Sequence, residues 1–337
     1  MSQSVESPQG AQRKLESVVK SIRDYGENPS AFLAVNEGNE HFEGSGQGFI
    51  TYRRAGGYFI QFGGVFAPEE QQRTLLEEFG RYARSQRRKI VGIQLQRTDV
   101  GLFAAAGFTV NQVGSSYSVH LPEFTLRGTR FMKLRNKISR AKRSGLEVRE
   151  LPYDEDVRNR IGEIDRHWLR SKGKHVKEIE FLVGQVGGPA QEYRRLFVGL
   201  IEDRPVAYIS YSPAYGSRPG WLHDLSRRLP DVMPGVMEAI NAAAIERFTE
   251  ERAEWLHFGF TPFTGLDPAC EIPGNSALTG KFMRLLAEKG GSVYPAATQL
   301  AYKEKWGPHS VLPEYLAFQG GASFGAIWQV LRVTKSI

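Results

Sequence analysis

The segment Trp221-Leu-His-Asp-Leu-Ser-Arg-Arg228 sets a carboxylate, Asp224, beside the cations Arg227 and Arg228 and the imidazole of His223. It reads as the end of a strand. The turn Pro230–Gly235 then leads into a helix whose first turn carries Glu238. A carboxylate so placed can orient a hydroxyl or an amine and take its proton. An arginine near a helix N-terminus can hold a phosphate or a developing oxyanion. The same residues could also form a structural Asp–Arg pair tying strand to helix. Local pattern does not separate the two readings.

A second cluster is purely cationic. Between Phe124 and Gly145 lie Arg127, Arg130, Lys133, Arg135, Lys137, Arg140, Lys142 and Arg143, with no acidic residue among them. Leu134, Ile138 and Ala141 recur at helical spacing, which predicts a helix with one buried stripe and a cationic remainder. A solvated linker helix usually mixes signs, so an anion-binding role is favoured. A phosphate backbone is the natural target, and peripheral contact with an anionic membrane is the competitor. No stacking or groove-reading motif points to sequence-specific DNA binding.

The elements that must hold these groups come in two similar runs. In the first, Arg13–Tyr25 is an amphipathic helix, and Ala31–Val35, Gly48–Arg53 and Tyr58–Phe62 are strands. A helix opened by Pro68 runs to Ser85, with Glu69 and Glu70 at its positive end. Strand Ile90–Leu95, a short helix Val100–Ala106 and strand Ser116–His120 follow. In the second run Asp154–Arg170 is helical, and Leu196–Ile201, Val206–Ser210 and Trp221–Asp224 are strands. Pro234–Thr249 is a helix, Trp255–Phe258 a strand, Ser276–Glu288 a helix, and Val293–Tyr302 partly strand. Strands, a long helix and a further strand thus appear twice, the mark of an internal duplication. The pattern predicts an α/β fold of two tandem N-acetyltransferase-like (GNAT) domains, mixed central sheets flanked by helices. The expected division is a disordered N-terminus at 1–12, a first domain at 13–123, a basic connector helix at 124–150 and a second, catalytic domain at 151–337.

Composition bounds the function. The chain has 337 residues, 41% hydrophobic and 24% charged, with a net charge of +7. That is ordinary globular material with a bias toward polyanionic partners. Gly101–Val110 and Ala239–Ile245 are too short to span a bilayer, and no secretory signal is visible. Cys270 is the single cysteine, which excludes a disulfide framework or a Cys-rich zinc site and fits a cytoplasmic location. Acetyl-CoA users on this fold carry an Arg/Gln-x-x-Gly-x-Gly/Ala loop, absent before Pro68 and before Pro234. There is also no Walker loop or dinucleotide fingerprint. An acyl donor other than acetyl-CoA is expected.

In this light several segments resemble the C-terminal catalytic domain of the lysylphosphatidylglycerol synthases, the multiple-peptide-resistance-factor family. Phe124-Thr-Leu-Arg-Gly with Leu134-Arg-Asn136 and Arg143-Ser-Gly145 resembles its basic connector. Trp168-Leu169 through Glu178 and Phe181-Leu-Val-Gly184 resembles its "WL…E..F..G" stretch. His223-Asp-Leu-Ser-Arg227 with Pro234-Gly-Val-Met-Glu238 resembles "DLMR…P.G.MD". Phe258-Gly-Phe-Thr-Pro262 resembles "LGMAPL", and Tyr302-Lys-Glu-Lys-Trp306 with Pro313-Glu-Tyr-Leu-Ala317 resembles "FKSKF…PRYLA". The likeness runs in order over residues 45–318.

The resemblance implies an aminoacyl-tRNA donor whose amino acid passes to an acceptor hydroxyl or amine, with no metal or dissociable cofactor. It implies Asp224, Arg227, Lys303 and Lys305 as the catalytic set. Asp224 would orient the acceptor or the amino group, Arg227 would bind the terminal phosphate or stabilise charge, and Lys303 or Lys305 would bind phosphate or stabilise the tetrahedral oxyanion. His223, Arg228, Glu238 and Thr261 would contact substrate, and the connector cations would hold tRNA. The family's large N-terminal membrane domain is missing from the sequence. The arginine of "FQGLR" is lost in Ala296-Ala-Thr-Gln-Leu300, Glu314 replaces the arginine of "PRYLA", and "GDP" reads Gly63-Gly64-Val65. Fewer cations argue against an anionic lipid head group. The expectation is therefore transfer to a hydroxyl, hydroxylamine or amine of a small metabolite, as in natural-product pathways. The alternatives are aminoacylation of a lipid such as phosphatidylglycerol, and a non-catalytic tRNA-binding protein.

Overall fold

The computed structural model describes residues 8–171, 181–289 and 296–334. Helix α1 (Pro8–Tyr25) starts before Arg13, so Pro8–Gln12, expected to be disordered, is helical. Residues 1–7 lie outside the described residues. Ala31–Val35 is a short 3-10 turn and not the expected strand. Its side chains are all buried, so the run has no exposed face to alternate with. Asn28 sets the turn by accepting from the Ser30 amide at 2.7 Å while donating to the Gln94 carbonyl at 2.7 Å.

The first half continues as β1 (Glu40–Phe42), β2 (Phe49–Ala55), β3 (Tyr58–Phe66), α2 (Glu69–Ser85), β4 (Lys89–Leu95), α3 (Arg97–Ala105) and β5 (Phe108–His120). The cationic segment forms α4 (Met132–Arg143), burying Leu134, Ile138 and Ala141 as its periodicity predicts. Then come β6 (Glu147–Leu151), α5 (Glu155–Ser171), β7 (Arg195–Ile201), β8 (Arg204–Ala214), β9 (Gly220–Arg228), α6 (Val236–Glu250) and β10 (Trp255–Pro262). The chain ends in α7 (Ala277–Lys289), α8 (Ala296–Glu304), β11 (Ser310–Gln319) and α9 (Phe324–Val333). The expected strand character in Val293–Tyr302 is corrected: from Ala296 onward the chain is helical, as its alanines, Gln299 and Leu300 favour. Residues 293–295 are outside the described ones.

The α/β class and the twice-used arrangement hold. β2–β3 and β7–β8–β9 are antiparallel, and a helix crossover then makes β3∥β4 and β9∥β10 parallel. The described strands form one continuous sheet, ordered β1-β2-β3-β4-β11-β5-β10-β9-β8-β7-β6. The halves exchange their last strands. β11, from the second half of the chain, pairs with β4, and β5, from the first, pairs with β10. β5 and β11 also pair with each other along most of their length. Separate cores form on the faces of this sheet. One gathers α1, the 3-10 turn, α7 and α9, and another gathers α4 and α6.

One irregularity opens the site. β9 and β10 are paired only from Trp255↔Gly220 to His257↔Leu222. Beyond Leu222 and His257 the parallel strands part, and β10 shifts register before Phe260. The opening is walled by His223–Arg228 on one side and Phe258–Phe260 on the other.

Candidate functional site

A cavity of about 790 Å³ fills this opening. Its walls include Asp224, Arg227 and Arg228 of β9, Glu238 of α6, Lys303 of α8 and Lys137 of α4. Ser30, Leu33 and Gln94 reach it from the first half, so the site lies between the halves.

Asp224 is enclosed. The Ser212 hydroxyl donates to its Oδ2, and the Arg194 guanidinium lies 3.9 Å away. Its Oδ1 has no hydrogen-bond partner among the described residues. Burial pushes its pKa up to about 6, against the opposing pull of Arg194 and Ser212. Gly184 is required beside it: a Cβ there would stand 2.2 Å from the Asp224 carboxyl carbon. Asp224 is thus a carboxylate at the cavity wall whose side chain is shut off from solvent, with one oxygen not fully satisfied.

Arg227 is buried, with Nη1 3.0 Å from Asp165 and its guanidinium over the Trp168 ring. It is positioned from α5 and still lines the cavity. Arg228 is exposed at the mouth and donates to the Pro230 carbonyl at 3.3 Å. His223 packs between Tyr211 and Tyr302, with Nδ1 3.3 Å from Asn241 Oδ1. Burial lowers its pKa to about 3, so the ring is neutral at physiological pH.

The two lysines differ. Lys303 is buried, and its Nζ donates to the carbonyls of Gly259 at 2.7 Å and Phe260 at 3.0 Å. Burial lowers its pKa to about 7, with Glu314 pulling the other way. Glu314 is itself fully buried, accepts from the Ser116 hydroxyl, and is pushed up to about 8 by burial. Lys305 instead pairs with Glu238 at 2.8 Å and lies over the Tyr302 ring. Lys137 reaches the same Glu238 at 3.6 Å. Burial opposes ionisation of Glu238, but Lys305 and Lys137 outweigh it and hold its pKa below the ordinary value.

Thr261 is not brought to the cavity. It is fully buried in β10, with its backbone paired to Ser115. Of the connector cations, only Lys137 lines the cavity. Arg127, Arg130, Lys133, Arg140, Lys142 and Arg143 are exposed, and Arg135 is tied to the Gly128 carbonyl at 2.7 Å. α4 approaches α6 closely because Gly235, at φ +99°, has no Cβ; one would sit 2.3 Å from the Lys137 carbonyl oxygen. Glu178, within the stretch after Trp168, lies outside the described residues.

Sequence reasoning missed Arg194, Ser212 and Gln94. Arg194 donates to Asn36 Oδ1 at 2.8 Å and lies over the Phe32 ring, fixing Asp224 from behind. Nothing in Tyr193-Arg194-Arg195 marks the middle residue as buried. Gln94 has φ +51° at the end of β4, and its Oε1 has no partner among the described residues. A polar residue ending an apolar strand was the available signal.

The sequence profile described as "Phosphatidylglycerol lysyltransferase, C-terminal" matches residues 19–318. The chain belongs to this family. It is 23% identical over 321 residues to the phosphatidylglycerol lysyltransferase of Bacillus subtilis, covering 94% of this chain and 36% of that protein. The chain thus spans about a third of the length of that relative. Solved structures share the fold. The C-terminal domain of a putative lysylphosphatidylglycerol synthetase from Agrobacterium fabrum superposes with a TM-score of 0.79 at 21% identity, covering 96% of this chain and 98% of that one. L-PGS from Bacillus licheniformis gives 0.77 at 20% identity, covering 99% and 97%. Among the described residues no helix is long and apolar enough to cross a membrane.

Proposed function

We propose that this member of the family is an aminoacyltransferase that takes an amino acid from charged tRNA. The observation that carries the reading is Lys137. It belongs to the cationic face of α4 and also lines the cavity that holds Asp224. A phosphate backbone laid along Arg130, Lys133, Arg140 and Arg143 would deliver its terminal ester to the opening between β9 and β10. In this proposal the connector at 124–150 guides tRNA. The chemistry belongs to the 151–337 half, which lends β11 to the other half of the sheet.

The step is ester exchange. An acceptor oxygen attacks the aminoacyl carbonyl, a new ester C–O bond forms, and the bond to the terminal ribose breaks. In this proposal Asp224 takes the acceptor proton at Oδ1, and the ribose oxygen leaves with a proton. The proposed part of Lys303, which lines the cavity wall, is to favour the negative charge that develops on the carbonyl oxygen. The proposed part of Arg227, set by Asp165, is to hold a phosphate.

For the acceptor we favour a phospholipid head group. The expectation of a small metabolite rested in part on lost cations. Glu314 lies behind Lys303 and does not line the cavity, whereas Lys137, Arg227, Arg228 and Lys303 do. The relatives named for phosphatidylglycerol support the same choice. A metabolite acceptor is the second reading, favoured by the charge that Glu314 sets against Lys303. The test is transfer from radiolabelled aminoacyl-tRNA to detergent-dispersed phosphatidylglycerol, read in the organic phase. Label that stays on tRNA across all amino acids, or transfer that persists in Asp224→Ala, overturns the proposal. Label that moves only to a water-soluble product selects the second reading.

A further inference from the structure

α9 is apolar on both sides. Ala326, Ile327, Val330 and Val333 face the core. Phe324 and Trp328 point outward at 72% and 57% exposure, with Leu331 half-buried one turn on. These outward positions fall at i, i+4 and i+7, a single stripe. α7 extends it: the Phe282 and Phe324 rings meet at 5.6 Å, and Leu278 and Leu285, on the same side of α7 as Phe282, are 72% and 47% exposed. Large apolar side chains scattered singly on a surface need no explanation, but a contiguous patch marks a contact.

The rim of the patch names the partner. Lys281 and Arg284 lie on α7 and Arg332 on α9, all exposed. Lys89 reaches the loop before α9, its Nζ 3.7 Å from where a Gly320 Cβ would stand. The acids beside them are Glu288 on α7, and Glu271 and Asp267 near Gly280 and Arg284. Aromatic and leucine side chains ringed by lysine and arginine suit an interfacial helix on an anionic bilayer. A second copy suits them less, because a two-fold contact would set this cationic rim against itself. The buried cluster under α7 and α9 also contains Leu33 and Leu222, which line the cavity. The core beneath this face is therefore continuous with two residues of the cavity wall.

We infer that the α7–α9 face is a docking surface for an acidic phospholipid membrane, seated through Phe324, Trp328, Leu278 and Leu285. The choice of occupant rests on the lipid-acceptor reading, but docking is measured without tRNA or transfer. The full chain is sedimented with vesicles of phosphatidylcholine alone or mixed with phosphatidylglycerol. It is expected to bind the mixed vesicles only. F324S/W328S should abolish binding, and K281E/R284E should weaken it at least about tenfold, since each cation near an anionic surface contributes about 1 kcal/mol. Acyl-brominated lipid should quench the wild-type fluorescence and spare much of it in W328F, a measurement that stands even if the double serine variant fails to fold.

Wild-type protein that ignores the mixed vesicles overturns the inference. So does binding unchanged in F324S/W328S and W328F yet lost when the α4 cations are reversed. A concentration-dependent dimer dispersed by F324S/W328S, without vesicle binding, assigns the face to a second copy and also overturns it. Transfer to detergent-dispersed lipid without vesicle binding sinks the docking surface alone. Vesicle binding without any transfer sinks the proposed function alone.

Discussion

Lys303 donates its ammonium to the Gly259 carbonyl at 2.7 Å, on the strand that parts from β9 to open the cavity. The same nitrogen serves Phe260, and Glu314 is the buried acid that pulls its pKa upward. Burial holds Lys303 at about 7 and Glu314 at about 8, so neither is fully ionised at neutral pH. Lys303→Met leaves two buried carbonyls without their donor and is expected to destabilise the protein by about 1–3 kcal/mol. Adding Glu314→Gln should recover little of that loss at neutral pH and more above about 8, where the buried carboxyl would otherwise ionise. Denaturant unfolding of the two single variants and the double variant measures the coupling. Additive losses at both pH values would show that Lys303 and Glu314 do not act as a pair.

Asp224 makes the transfer rate depend on pH. Its folded pKa is raised to about 6 by burial, and the proposed proton acceptor is the carboxylate. Transfer should rise with pH through about 6 and level off above it. Stability runs the other way. Between the ordinary carboxylate range and about 6 the folded state holds a proton that the unfolded state has lost, so stability falls as pH rises through that window. Asp224→Asn should flatten both profiles, lower transfer about a hundredfold or more, and leave the protein no less stable at neutral pH. Single-turnover transfer and thermal melts across the pH range check both limbs.

The α4 cations are expected to act on affinity. Lys133→Glu, Arg140→Glu and Arg143→Glu touch no core residue, since the buried stripe is Leu134, Ile138 and Ala141. Each should weaken tRNA binding and reduce the salt dependence of log Kd by about 1. The first-order rate at saturating tRNA should hold. Binding titrations at several salt concentrations read the slope, and an unchanged slope would remove tRNA from this helix.

The legible and illegible parts of the molecule divide along physical lines. The polar run His223–Arg228 could be found because charged residues at a strand end break the alternation that a core strand keeps. The buried stripe of α4 could be found because helical periodicity is local. Strand exchange could not, because apolar alternation in β5 and β11 fixes which face is buried and says nothing about the neighbour. Ala31–Val35 misled because a short apolar run buried on all sides carries no period. Arg194 stayed hidden because its role depends on Asn36, Ser212 and Asp224, which only the folded sheet assembles.

Arg194 yields the sharpest test of how the site is tuned. It is buried, its Nε lies 3.9 Å from Asp224 Oδ2, and it reaches Asn36 and Ser212 without lining the cavity. It acts through Asp224 and is a positioning residue. Its positive charge opposes the upward shift that burial imposes on Asp224. Arg194→Met removes that charge, so the ascending limb of transfer should move to higher pH by roughly one to three units. The rate at the new plateau should fall less than in Asp224→Asn, because the carboxylate is still present once ionised. A purely structural role would lower the rate at every pH and leave the midpoint near 6. Arg194→Met/Asp224→Asn should then be more stable than Arg194→Met alone at neutral pH, because the stranded carboxylate is gone, while transfer stays at the Asp224→Asn level.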